Sequence, residues 1–211
     1  MKTLIIDTAL GACTAVTAEG VRVIAAESEI MARGHQERLG GMVRAAMASA
    51  RWSFEDLDRI AVTTGPGSFT GLRVGLAFAQ GLGLALDRPV AGLSTLAALA
   101  RCVEAEGVVW ALIDARRGQV YGQPFQNDAS LADPAALDLE AATLRLTETQ
   151  ARIAVGSGAS LLSVRGVYVE VLAAPSPEAL ARLAADQPHG EARPLYLRGP
   201  DAKLPGGRDP G

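Results

Sequence analysis

The run Thr63-Thr64-Gly65-Pro66-Gly67-Ser68-Phe69-Thr70-Gly71-Leu72-Arg73-Val74-Gly75 joins an apolar strand-like stretch, Arg59 to Val62, to a long apolar helix-like run ending near Leu86. A strand, a glycine-rich turn and a helix start gather bare amide N–H groups at the positive end of a helix dipole, which favours an anion. The spacing fits neither common nucleotide fingerprint. A P-loop needs a Lys after its last Gly, and none occurs between Lys2 and Lys203. A dinucleotide loop needs Gly-x-Gly-x-x-Gly, whereas three residues separate Gly67 from Gly71. The loop is therefore either an anion cradle of an unusual kind or a device for close packing. In the cradle reading, Gly67, Ser68, Phe69, Thr70 and Arg73, with Asp7 beyond them, contact an anion or nucleotide. In the packing reading, Gly67 takes a backbone conformation closed to other residues and Pro66 stiffens the turn.

At 211 residues, 49% apolar and 20% charged, the chain suits one larger domain or two small lobes with a real core. Its formal net charge of −3 argues against nucleic-acid binding by this chain alone, because such proteins usually carry a basic face. Cys13 and Cys102 lie in apolar contexts and read as small buried thiols. There is no Cys-x-x-Cys or His-x-x-x-His, and only His35 and His189, so no His- or Cys-based metal site is expected. No window reaches about 18 uninterrupted apolar residues, so no membrane span is expected. No signal peptide precedes Asp7, and the chain reads as cytoplasmic.

The first hundred or so residues alternate. Thr3 to Ile6, Cys13 to Ala18 and Val21 to Ile30 read as strands, with Glu19-Gly20 as a hairpin turn. A helix from about His35 to Arg51 follows, then a capping box at Ser53 to Asp56, the strand to Thr64 and the helix to Leu86. Pro89 to Leu93 is a further strand, and Ser94 caps a helix to about Glu106. This β-β-β-α-β-α-β-α order is the layout of one lobe of the ASKHA superfamily (actin-like ATPases, Hsp70, sugar kinases), with a mixed sheet covered by helices. Val108 to Ile113 is a second start, again ending in a carboxylate, Asp114, with Gln119 to Phe125 as its hairpin partner. The echo then weakens. Asn127 to Ala142 reads as an irregular or partly helical insertion. Strands at Arg152 to Val155 and Tyr168 to Leu172, and a helix at Pro177 to Ala185, complete a shorter lobe. The expected division is a first lobe over 1–106, a reduced second lobe over 107–199, and a disordered tail over 200–211.

Several runs together resemble the bacterial TsaB (YeaZ) family. They are Leu4-Ile5-Ile6-Asp7-Thr8-Ala9, the glycine run from Gly65 to Gly75, His35 opening the first helix, Gly92-Leu93-Ser94-Thr95-Leu96, Ile113-Asp114-Ala115-Arg116-Arg117-Gly118-Gln119-Val120-Tyr121, and Pro194-Leu195-Tyr196-Leu197-Arg198. The resemblance runs from Lys2 to about Lys203. It implies a two-lobed ASKHA fold and a role in making threonylcarbamoyladenosine at position 37 of tRNAs that read A-starting codons. It further implies a non-catalytic subunit that binds the catalytic paralogue TsaD and, with it, the ATPase TsaE. Without TsaD the protein pairs with itself as a homodimer, and tRNA is met only through the complex. No cofactor of its own is implied, although ATP or ADP could sit at the complex interface. The catalytic paralogue carries a metal-binding His-x-x-x-His that this chain lacks.

The residues also suggest where such a partner docks. Gly71, Gly75 and Ala79 repeat every four positions, giving a helix stripe that another helix could approach closely. Leu72, Leu76, Phe78 and Leu82 leave that helix apolar nearly all round, so it must be covered on every face. With Leu39, Met42, Val43 and Ala46 of the first helix it is expected to form a self-complementary apolar patch that a partner covers, the alternative being that the patch is purely internal core. The competing reading is an enzyme. A small ASKHA ATPase would need a phosphate-wrapping hairpin after Asp7, but Thr8-Ala9-Leu10-Gly11 follows instead. A peptidase would need a nucleophile with a positioned base, and neither His35 nor His189 offers one.

Overall fold

The computed structural model describes residues 1–187 and 190–198. The expected tail disorder from residue 200, and His189, lie outside the described residues. The chain opens with a three-stranded meander: β1 (Lys2–Asp7), β2 (Ala12–Glu19) and β3 (Arg22–Ile30). It continues through α1 (His35–Ala50), β4 (Arg59–Gly65), α2 (Phe69–Leu86), β5 (Val90–Ser94) and α3 (Thr95–Ala100). The sheet order is β3-β2-β1-β4-β5, antiparallel through the meander and parallel from β1 to β5. Parallel neighbours need crossovers that cover the sheet, and α1 and α2 provide them.

A second sheet repeats this plan. Its elements are β6 (Val109–Arg116), β7 (Gln119–Gln126), β8 (Ala129–Ser130), β9 (Ala135–Asp138), α4 (Leu139–Glu148), β10 (Ile153–Val155), β11 (Tyr168–Glu170) and α5 (Pro177–Asp186). The order is β11-β10-β6-β7-β8, with β9 also paired to β7. Like β1, β6 lies between an antiparallel and a parallel neighbour, so Asp7 and Asp114 occupy matching positions near the strand ends. The fold is ASKHA, with a reduced second lobe. The reduction has a definite place: where α2 lies in the first repeat, the second has only a 3-10 turn, Ala159–Leu161.

Two segments differ from the sequence reading. The Asn127 to Ala142 stretch is partly helical where α4 begins, but its earlier part is not irregular and supplies β8 and β9. Ala135-Ala136-Leu137 carries little β signal, and it pairs only because β7 offers an edge. Helix α3 stops at Ala100, not near Glu106. Cys102 Sγ there accepts the Ser176 amide at 3.3 Å, tying the chain to the start of α5 instead of into another helical turn.

Helices α3 and α5 meet one continuous core with both sheets, built on Ile5, Val16, Leu96, Leu99, Ile113, Phe125, Leu180 and Leu183. Although α5 follows the second sheet in sequence, it packs against β1, β2, β3 and β5 of the first. A separate cluster lies beneath α1 and α2 and includes Leu4, Ile6, Leu39, Val43, Ile60, Val62 and Leu76.

Candidate functional site

Asp7 ends β1 with no solvent exposure. Its Oδ1 accepts the Thr63 hydroxyl at 2.6 Å and the Ala9 amide at 3.0 Å. Burial raises the carboxyl pKa above its ordinary value, against the smaller lowering effects of Thr63, Ala9 and His35. A carboxylate that serves a phosphate-bound cation must reach it, and this one is sealed inside the sheet.

The glycine loop lies beside it. The Ser68 amide donates to Ala9 O at 2.8 Å, so one of the amides expected to face an anion is already used. Ser68 Oγ accepts the Gly71 amide at 3.2 Å and caps α2. The left-handed glycine of the loop is Gly65, with φ of 110°, and not Gly67 as expected. Gly67 is required for another reason: a Cβ there would lie 2.3 Å from Ala9 O. Packing dominates the loop.

The stripe on α2 faces inward. A Cβ on Gly71 would lie 2.1 Å from Thr8 O, and one on Gly75 would lie 2.4 Å from Thr8 Oγ1, while Ala79 is fully buried. The expected docking residues Leu39, Met42, Val43, Ala46, Gly71, Leu72, Gly75, Leu76 and Ala79 are therefore buried within the chain itself. The cause is the end of β1, which needs a side-chain-free helix face against it. Phe78 and Leu82 are half-buried.

What remains bare is the opposite face of the same helix. Phe69, Ala77 and Leu84 are exposed, Leu84 at 86%, and Val74 and Phe78 are half-exposed. Beside α1 this face forms a groove of about 500 Å³, lined by Gln36, Leu39, Phe69, Arg73, Ala77 and Phe78 among others. By length and mean hydropathy α2 could cross a membrane, which the uninterrupted-run criterion did not detect because Arg73 and Gln80 interrupt it. Its glycine face nonetheless belongs to the core beneath the first sheet.

Between the lobes lies a larger cleft of about 1020 Å³, reached by Gly67, Ser68, Phe69 and Thr70 but not by Asp7. Its far wall carries Asp114, whose Oδ1 accepts the Arg116 amide at 2.7 Å and whose Oδ2 lies 3.2 Å from the Arg116 guanidinium. Tyr121, Ser157, Tyr196 and Arg198 also line it, and sequence reasoning gave none of them a role. The run Pro194 to Arg198 was visible as a motif, but nothing in its composition says that it returns to the cleft. Among the described residues, no group of three or more His, Cys, Asp or Glu side chains is placed to hold a metal. His35 is buried at the start of α1 where it borders the cleft, and among the described residues its Nε2 has no hydrogen-bond partner.

A family model described as TsaD, tRNA N6-adenosine threonylcarbamoyltransferase, matches residues 24–155. The tRNA threonylcarbamoyladenosine biosynthesis protein TsaB of Escherichia coli is 39% identical over 132 residues, 61% of this chain and 56% of that protein. An uncharacterized Mycobacterium bovis protein is 35% identical over 207 residues, 95% of this chain and 93% of that protein. The chain belongs to the TsaB (YeaZ) family. A crystal structure of an uncharacterized Pseudomonas aeruginosa protein, described as similar to the peptidase YEAZ, superposes with a TM-score of 0.82 at 31% identity, covering 93% of this chain and 99% of that one. The matched segment thus spans little more than half of the E. coli TsaB but nearly the whole of the Mycobacterium bovis and Pseudomonas aeruginosa proteins. The family match covers α1, the glycine loop, α2 and the Asp114 hairpin, which hold both the groove and much of the cleft.

Proposed function

We propose that this chain is a non-catalytic scaffold and activating subunit of the assembly that forms N6-threonylcarbamoyladenosine at position 37 of tRNAs reading A-starting codons. It binds the catalytic paralogue TsaD through the outer face of α2 and the exposed side of α1, and with TsaD it engages the ATPase TsaE. In the absence of TsaD the same face pairs two copies. It meets tRNA only through the complex, any ATP or ADP sits at the complex interface, and the work is cytoplasmic.

The observation that carries this reading is the bare face of α2. An apolar helix with Leu84 at 86% exposure and an adjoining apolar groove is far more economical to cover with a partner than to leave in water. The buried state of Asp7 supports it from the other side, because an ASKHA ATPase needs that carboxylate ionised and open to the cleft. The names of the E. coli relative and of the family model supply the pathway.

Depletion of the protein followed by mass spectrometry of tRNA nucleosides tests the pathway. Loss of threonylcarbamoyladenosine is the expected result, and unchanged levels refute it. Purified protein assayed alone for ATP hydrolysis tests the non-catalytic part: metal-dependent turnover that Asp7→Asn abolishes would establish the enzyme reading instead.

A further inference from the structure

Residues 190–198 belong to neither sheet, yet they touch both lobes. At one end the Gly92 amide donates to Gly190 O at 2.9 Å, and a Cβ on either glycine would strike backbone oxygen at 2.1 Å. This is a close backbone crossing on β5, the edge of the first sheet. Further on, Gln80 of α2 donates to Ala192 O at 2.9 Å, and the Leu195 amide donates to Thr64 O at 2.8 Å. Gly65 makes room here, because a Cβ on it would lie 2.9 Å from Leu195 O.

Tyr196 then reaches the start of α2. Its ring lies 5.2 Å from that of Phe69, and its hydroxyl accepts from Arg73 Nε at 3.3 Å. The Arg73 guanidinium in turn lies 3.8 Å from the Phe69 ring centre. Finally Arg198 donates to Ala115 O at 3.2 Å and to Gln119 Oε1 at 3.1 Å, on the β6–β7 hairpin of the second lobe. Phe69 and Arg73 also line the α1–α2 groove, while Tyr196 and Arg198 line the cleft. One segment therefore holds the end of the groove through Tyr196 and the far wall of the cleft through Arg198.

We propose that residues 190–198 are a strap coupling the α1–α2 groove to the interlobe cleft. Seated, the strap fixes Phe69 and Arg73 at the end of the groove and the β6–β7 hairpin at the cleft. When one anchor is released, both loosen together. The consequence for partner binding rests on the docking reading above, but the coupling is a property of the chain alone.

Hydrogen exchange on the full chain, read by mass spectrometry, tests the coupling with Arg198→Ala. The bonds to Ala115 O and Gln119 Oε1 that it removes lie on the second lobe, away from α2. Loss of a charge-assisted hydrogen bond corresponds to roughly a tenfold change in a local opening equilibrium. Exchange about tenfold faster is therefore expected both at the hairpin and across Ser68 to Val74, with α4 as an unchanged internal reference. Tyr196→Ala is expected to give the same pattern from the other end. Faster exchange confined to the mutated end in both variants would overturn the strap. TsaD capture, read in parallel on wild type and on Ala77→Glu, separates the two ideas. If the charge on α2 leaves capture intact, the docking reading fails while the exchange data still decide the coupling.

Discussion

Thr63 Oγ1 donates to Asp7 Oδ1 across 2.6 Å, joining neighbouring parallel strands β4 and β1 at a point that solvent does not reach. The second carboxyl oxygen of Asp7 is buried without a hydrogen-bond partner among the described residues. An ionised carboxylate here is poorly solvated, which raises its pKa, and the hydrogen bond ties β1 to β4.

A pH dependence of stability follows. Asp7 has its folded pKa raised above the ordinary 3.8, so between that value and the raised one the folded chain holds a proton that the unfolded chain has released. Its contribution is fully present below that ordinary value and is lost as pH rises through the raised one. Asp7→Asn keeps an acceptor for Thr63 and Ala9 and cannot ionise. The variant is expected to unfold at higher urea than wild type at pH 8, with the difference narrowing towards pH 4 and no change in m-value. A midpoint shift in the opposite direction at pH 8 would show that the fold favours the ionised carboxylate and lowers its pKa.

The inward glycine stripe gives a paired test on one helix. A Cβ on Gly75 would sit 2.4 Å from Thr8 Oγ1, while one on Gly81 meets nothing within 4 Å. Gly81→Ala is expected to stabilise by about 0.5–1 kcal/mol through helix propensity. Gly75→Ala gains the same propensity but forces Thr8 and β1 to shift, for a net loss of about 1–3 kcal/mol. Chemical denaturation of the two variants side by side reads the difference, and equal effects would mean that the stripe faces solvent.

The sequence carried the first lobe nearly in full, because its strands and helices announce themselves by period and by serine caps. Ser94, expected to cap the helix after β5, accepts the Ala97 amide. The sequence carried less of the second lobe, where Ala135–Asp138 becomes a strand only through β7. For the site the obstacle was different. A helix apolar on every side has no polar face to reveal which side is buried, so the glycines were assigned to a partner. The decisive contact is with Thr8, far away in sequence. Tyr196 and Arg198 were hidden for a related reason, since an extended segment carries no period that says where it returns.

Cysteine chemistry should follow burial. Cys13 is fully buried in β2, and burial, then the nearby Asp7, pushes its thiol up to about 11. At pH 8 only about one such thiol in a thousand is ionised, before access is considered. Cys102 is half-buried, with its thiol also raised by burial. In the Cys102→Ser variant, a disulfide reagent at pH 8 is expected to label Cys13 only as fast as the fold opens, with labelling complete in denaturant. Rapid labelling of the native variant would contradict the placement of β2.

The two faces of α2 predict opposite outcomes for the same charge. Leu76 is 5% exposed within the cluster under the sheet, so Leu76→Glu buries an unpaired carboxylate and should cost more than about 4 kcal/mol, enough to unfold a marginal domain. Ala77 and Leu84 point away from that cluster, and Leu84 is 86% exposed. Ala77→Glu and Leu84→Glu are therefore expected to stay within about 0.5 kcal/mol of wild type in chemical denaturation. If this face docks a partner, each desolvates a charge in the interface and should weaken TsaD capture by tenfold or more, on the order of 1.4 kcal/mol. If the proposed self-pairing uses the same face, light scattering on the chain alone should show the same loss of association. Unchanged stability with unchanged association in both assays would remove the outer face of α2 from the interface.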